Sequence, residues 1–156
     1  MADTLTFDSF SLTRDYPVPP GKVFSAFSDP EKKRRWFAEG EGFIVGSYEL
    51  DFRPGGHERT AFTVANKEFS STEIRNDTHY FDIIENERIM LAYSMANKGK
   101  VFSTSLQTIT LERTATGTRL TLHEQVTFLA GADGTEQRRY GTEALLNALG
   151  TELTTD

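Results

Sequence analysis

The stretch from Phe102 to Phe128 constrains the fold of this chain more than any other. Two runs, Phe102 to Arg113 and Arg119 to Phe128, meet across Thr116-Gly117, a turn signal. In the second run Leu120, Leu122, Val126 and Phe128 recur at alternate positions, interrupted by one acid, Glu124. Successive side chains of a strand point to opposite faces, so these five share one face. Arg119, Thr121, His123, Gln125 and Thr127 share the other. Burying each large apolar side chain contributes roughly 1.5–3 kcal/mol, so the apolar face is the inner one and it carries Glu124 inward.

A turn at Ala115 to Gly117 sets Leu111 opposite Leu120 and Ile109 opposite Leu122. Gln107 then falls opposite Glu124, and Ser105 opposite Val126. A slip by one residue brings Leu106 and Thr108 inward and breaks the apolar match. The preceding strand offers Ile89, Leu91, Tyr93 and Met95 on one face. A short loop at Lys98-Gly99-Lys100 places Tyr93 opposite Ser105 and Leu91 opposite Gln107. The pattern thus predicts a polar group of Tyr93, Ser105, Gln107 and Glu124 inside an apolar sheet face. A buried carboxylate is costly unless it takes up a proton or finds donors. Three roles fit Glu124: a register-fixing hydrogen-bond acceptor, a polar anchor for a ligand, or a general acid or base. A position near the sheet rim, with access to water, also fits.

The remaining elements follow from period and punctuation. Leu5 to Tyr16 reads as a strand, ended by Pro17, Pro19 and Pro20. A short helix follows, with Val23 and Phe27 on one face. Ser28-x-x-Glu31 reads as a capping box for a second helix reaching Trp36-Phe37. Within it, Lys32-Lys33-Arg34-Arg35 reads as a solvated face. Ser47 to Phe52 and Glu58 to Val64 pair across the turn Arg53-Pro54-Gly55-Gly56. Asn66 to Asn76 reads as a polar connection, followed by strands at Thr78 to Ile84 and Arg88 to Met95. The final helix spans about Gly134 to Leu153, with Leu145, Leu146, Leu149 and Leu153 as its apolar stripe. Gly141 and Gly150 weaken it by up to about 1 kcal/mol each relative to Ala, which points to close packing there or to fraying. Strands and helices are segregated, so the class is α+β with an antiparallel sheet.

Composition excludes several classes. The 156 residues fit one domain over 1–156 and can bury a sizeable core. There is no Cys, so disulfides and thiolate metal sites are excluded. The net charge of −6 disfavours nucleic acid. No stretch approaches a membrane span and Met1 to Phe10 lacks a signal-peptide pattern, so a cytoplasmic protein is expected. His57, His79 and His123 show no paired ligand spacing, so neither a metal nor another cofactor is expected. The motifs of nucleophile-elbow hydrolases, dinucleotide enzymes and P-loop NTPases are absent from the sequence.

Five segments carry a family resemblance. Arg14 to Glu31, including Val23-Phe24-Ser25-Ala26-Phe27-Ser28-Asp29-Pro30-Glu31, resembles the opening of the activator-of-Hsp90-ATPase-like family. Trp36-Phe37 resembles its aromatic pair, and Asp51-Phe52-Arg53-Pro54-Gly55-Gly56 its D-x-R-x-G-G turn. Asp82 to Ile89 is similar to its E-I-V-P-P-E-R-L segment, with Glu85-Asn86 in place of the prolines. Gly117-Thr118-Arg119-Leu120-Thr121-Leu122 is similar to its hairpin. Tyr140-Gly141 stands where the family often has Gly-Trp.

The resemblance, over roughly 12 to 153, is to the bacterial branch of this family within the START-like (SRPBCC) superfamily. It implies a helix-grip fold: a curved six- to seven-stranded antiparallel sheet around a long C-terminal helix, with two short helices after the first strand. It also implies a cavity between helix and sheet for a small hydrophobic or amphipathic molecule. Tyr93, Ser105, Gln107 and Glu124 are then its polar lining and Trp36, Leu145 and Leu149 its apolar lining, although Trp36 better suits core or rim packing. Other implied roles are a co-factor of an Hsp90-type chaperone, or a stress-response interaction module. A cyclase- or hydrolase-like enzyme using Glu124 is a further one. Homodimers occur among similar proteins, but no stripe here marks an interface.

Overall fold

The computed structural model describes residues 4–40, 42–64 and 73–155. Its strands are β1 (Thr6–Tyr16), β2 (Phe43–Leu50), β3 (His57–Val64), β4 (Glu73–Ile84), β5 (Arg88–Asn97), β6 (Lys100–Arg113) and β7 (Thr118–Phe128). They form one antiparallel sheet in the order β1-β7-β6-β5-β4-β3-β2. Helices α1 (Pro20–Ser28) and α2 (Pro30–Lys33) follow β1, and α2 runs directly into a π-helical turn, Arg34–Ala38. Helix α3 (Thr135–Thr154) closes the chain. The α+β class and the helix-grip architecture expected from the sequence are what the chain adopts.

The hairpin register is the expected one: Leu111 faces Leu120, Ile109 faces Leu122, Gln107 faces Glu124 and Ser105 faces Val126. Tyr93 lies opposite Ser105 and Leu91 opposite Gln107. The β5–β6 turn is set by Lys98 and Gly99, both at positive φ, as a two-residue primed turn requires. Gly117 is fixed by close approach instead, because a Cβ there would lie 2.0 Å from the Tyr16 carbonyl oxygen.

The core lies between the inner sheet face and the helices. Phe10, Leu12, Ile109, Leu120 and Leu122 meet Val23, Phe27, Leu146, Leu149 and Leu153 there. Helix α3 packs on β1, α1 and the π-helical turn. Tyr16 ties it down by donating its hydroxyl to the Leu146 carbonyl at 2.7 Å. Part of the inner face on β2 to β5 is less covered: Tyr48, Leu50, Asn76, Tyr93 and Met95 are half-buried, whereas Glu58, Thr60, Thr78, Tyr80 and Leu91 are buried.

Several local expectations are corrected. The second helix is capped by Asp29 rather than by Ser28, its carboxylate accepting from the Glu31 and Lys32 amides at 2.9 and 3.3 Å. Strand β2 begins at Phe43, four residues early, and absorbs a bulge between Val45 and Ser47. The connection expected over Asn66 to Asn76 lies outside the described residues up to 72. From Glu73 onward the chain is strand, because Ile74 to Asp77 find ladder partners in both β3 and β5. Pairing on both sides outweighs the low strand preference of Asn and Asp. Gly141 has open space around it, so close packing explains only Gly150, where a Cβ would stand 3.3 Å from the Tyr16 ring.

Candidate functional site

Beyond the core rows that hold Leu120 and Leu122, alternation and register arrange the inner face in three rows across the strands. Reading outward from β7, the first is Glu124, Gln107, Leu91 and Tyr80. The second is Val126, Ser105, Tyr93, Thr78, Glu58 and Leu50. The third is Phe128, Ser103, Met95, Asn76, Thr60 and Tyr48.

Glu124 is fully buried, at 0% exposure. Its Oε2 accepts from Tyr93 Oη at 2.7 Å and Ser105 Oγ at 2.9 Å, and its Oε1 accepts from Gln107 Nε2 at 2.9 Å. The four residues foreseen as a polar group are thus in contact, and the rim position for Glu124 is excluded. The counter-charge comes from Arg138 on α3, with Nη1 3.6 Å from Glu124 Oε2. Arg138 also donates to Ser103 Oγ at 2.7 Å and Tyr93 Oη at 3.2 Å, and holds Asp133 through both Nε and Nη2 at 2.9 Å. Its guanidinium lies over the Phe128 ring, 5.3 Å from the centroid.

Burial works against the Arg138 charge, but Tyr93, Asp133 and Glu124 outweigh it and its pKa rises. Burial first, and the Glu124 charge second, lift the Tyr93 hydroxyl far above the usual tyrosine range. Tyr93 therefore serves as a hydrogen-bond donor. An ionised carboxylate only accepts, so Gln107 must turn its amide NH2 toward Glu124. Its carbonyl oxygen is left facing away.

Arg138 was missed in the sequence, although a signal was present. The α3 stripe Leu153, Leu149, Leu146 continues at helical spacing through Thr142 to Arg138, and all five are buried. A stripe that ends in a cation marks the place where a buried anion waits.

A second buried ion pair corrects the reading of the basic run. Lys33 is 3% exposed and contacts Glu58 Oε1 at 2.9 Å. The ammonium group stands 4.4 Å from the Phe37 ring centroid, with Phe27 and Trp36 at 5.5 and 5.4 Å. Tyr80 and Tyr48 donate to Glu58 at 3.0 and 2.6 Å. Burial, then the Glu58 charge, raises both hydroxyl pKa values far beyond the usual range. The helical spacing of Lys33 to Trp36 and Phe37 turns it inward, whereas Arg34 and Arg35 reach out to Glu39 and Glu152. Glu58 could not be foreseen, because it shares its face with Thr60 and Phe62, and neither face of β3 carries an apolar majority.

Thr60 completes the inner face. It is 4% exposed, and its hydroxyl has no hydrogen-bond partner among the described residues. Beside it, Asn76 accepts from Thr78 Oγ1 at 3.2 Å.

The expected apolar lining does not join this group. Leu149 is fully buried core. Trp36 packs on Phe27 and Phe37 and donates Nε1 to the Ala26 carbonyl at 2.9 Å. Leu145 is half-buried against the same core. One open groove of about 610 Å3 runs between Trp36, Glu39, Ala148 and Glu152. Another of about 910 Å3 lies on the outer sheet face beside Phe7, Leu106, His123 and Gln125. Neither is lined by Tyr93, Gln107 or Glu124. His57 and His79 are cross-strand partners, but no cluster of three potential metal ligands exists among the described residues. No described helix is long and apolar enough to cross a membrane.

The family model described as activator of Hsp90 ATPase homolog 1-like protein matches residues 17–154. An uncharacterised protein from Rhizobium leguminosarum is 37% identical over 98% of both chains, with a TM-score of 0.89. A protein from Rhizobium loti is also 37% identical, over 96% of this chain and 99% of its own, with a TM-score of 0.85. A Chromobacterium violaceum protein is 26% identical over 95% and 99%, with a TM-score of 0.75. No curated protein matches the chain.

Proposed function

The chain belongs to the activator of Hsp90 ATPase homolog 1-like family, of START type, and from that premise we propose that it binds a small molecule with an apolar body on the inner face of its sheet. One observation carries this reading. A buried, fully hydrogen-bonded charge centre at Glu124 and Arg138 adjoins half-buried Tyr93, Met95, Gln107 and Asn76, on the side that α3 leaves less covered. Polar groups set among apolar ones on a concave surface orient a ligand while the apolar area holds it. Gln107 offers its outward carbonyl oxygen to a ligand hydroxyl, and the Tyr93 ring and Met95 offer apolar contact.

Proton transfer by Glu124 is less well supported. Both its oxygens already accept hydrogen bonds and a guanidinium neutralises it, which suits an anchor of the floor better than a base. A chaperone co-factor role rests on the family's description alone.

Nile red, a neutral apolar dye, tests the proposal. It should bind the full chain saturably with one-to-one stoichiometry, measured by fluorescence titration. Met95→Trp fills the uncovered face and should weaken binding at least tenfold while leaving the circular dichroism spectrum unchanged. An absence of saturable binding, or a variant that binds as tightly as the native chain, rules the reading out.

A further inference from the structure

We propose that Thr60 and Asn76 form a recognition subsite for a neutral oxygen, a ketone or hydroxyl, carried by the apolar molecule bound on the inner face; this rests on the ligand-binding reading above. The Thr60 hydroxyl is buried and unpartnered among the described residues. Leaving such a group unmade costs about 1–3 kcal/mol, a penalty that a bound ligand oxygen removes.

The neighbours define what that oxygen must be. Asn76 lies directly across from Thr60 in the third row, and its carbonyl already accepts from Thr78. Its amide nitrogen makes no hydrogen bond among the described residues and so remains a donor. Thr60 and Asn76 together can present two donors to one acceptor with two lone pairs. Glu58, on the same face of β3, is neutralised by Lys33 and engaged by Tyr48 and Tyr80. Among the described residues no uncompensated cation in the subsite attracts a carboxylate or phosphate, so a neutral oxygen is the fit. Met95 is the next member of the row beyond Asn76, and Tyr93 lies in the adjacent row on the same strand. Two interstrand spacings and one two-residue step separate the Cα atoms of Thr60 and Tyr93 by about 12 Å. A body of two or three fused rings covers that distance, with its oxygen at Thr60 and its far edge on the Tyr93 ring.

Fluorenone and fluorene share one flat three-ring body and differ by a ketone oxygen. Both are measured by displacement of Nile red from the full chain, and the quantity of interest is the ratio of their affinities in each variant. Thr60→Val keeps the side-chain shape and deletes the hydroxyl. It should lower the native preference for fluorenone about five- to tenfold, the scale of one oriented hydrogen bond. Fluorene affinity should stay unchanged, and Thr60→Ser should retain the preference. The urea midpoint of Thr60→Val should equal or exceed the native value. A lower midpoint would mean that the hydroxyl is satisfied within the free protein, which overturns the subsite. Displacement of Nile red by both compounds with the same affinity ratio in native and Thr60→Val overturns the subsite and leaves the ligand-binding reading standing. If neither Nile red nor either compound binds the native chain, both proposals fall together.

Discussion

At the scale of single residues, the inner face is organised by two buried charge pairs, Glu124 with Arg138 and Glu58 with Lys33. Removing one partner of such a pair leaves an uncompensated charge, which costs about 3–5 kcal/mol; replacing both by uncharged groups of similar volume costs far less. Arg138→Met should therefore lower unfolding free energy in urea by about that amount. Glu124→Gln combined with Arg138→Met should lose clearly less than the two single variants added together, since Tyr93 and Ser105 can still donate to the carbonyl oxygen of the introduced amide. Strict additivity would mean that the two groups do not interact. The acid at position 124 was visible in the sequence because it broke an apolar alternation. Its cation was not, because Arg138 and Glu124 meet only when α3 docks on the sheet.

At the scale of elements, legibility followed the locality of the signal. The β6–β7 pairing was readable because alternation and a short turn admit one register, and a slip exposes every buried side chain. Strand β4 was less readable. A bulge between Tyr80 and Asp82 shifts its phase, so Tyr80 is buried and Phe81 exposed, while Ile83 again packs inward. The two glycines of α3 show the same contrast. Gly141 faces open space, so Gly141→Ala should raise stability by about 1 kcal/mol through helix propensity alone. Gly150→Ala should gain less, because the Tyr16 ring edge stands 3.3 Å from the new Cβ and must yield. Equal gains in urea midpoint at both positions would show that the Tyr16 contact does not matter.

At the scale of the whole molecule, the buried hydroxyls couple folding to alkaline pH. Tyr16, Tyr48, Tyr80 and Tyr93 all have pKa values raised above 10.0, chiefly by burial. Each therefore binds its proton more tightly in the folded chain than in the unfolded one. The sign follows from linkage: the stabilisation is full below pH 10 and is lost as pH rises beyond it, because the unfolded chain ionises first. Each group removes up to about 1.4 kcal/mol per pH unit in that range. Unfolding free energy should stay level up to about pH 10 and then fall steeply. Apart from the contribution of the exposed Tyr140, the ultraviolet signal of tyrosinate should rise together with loss of structure rather than before it. Ionisation of these tyrosines in a chain that is still folded would contradict their burial.

The sequence by itself determined the element order, the antiparallel registers of β5, β6 and β7, and the polar quartet on their inner face. Those follow from period, turn length and the cost of burying charge, which are properties of neighbours along and across adjacent strands. Only the tertiary structure decided which cations reach the buried acids, that Lys33 turns inward, and that the Thr60 hydroxyl is buried without a partner among the described residues. These depend on how helices separated by tens of residues settle on a curved sheet, and no local pattern encodes that distance.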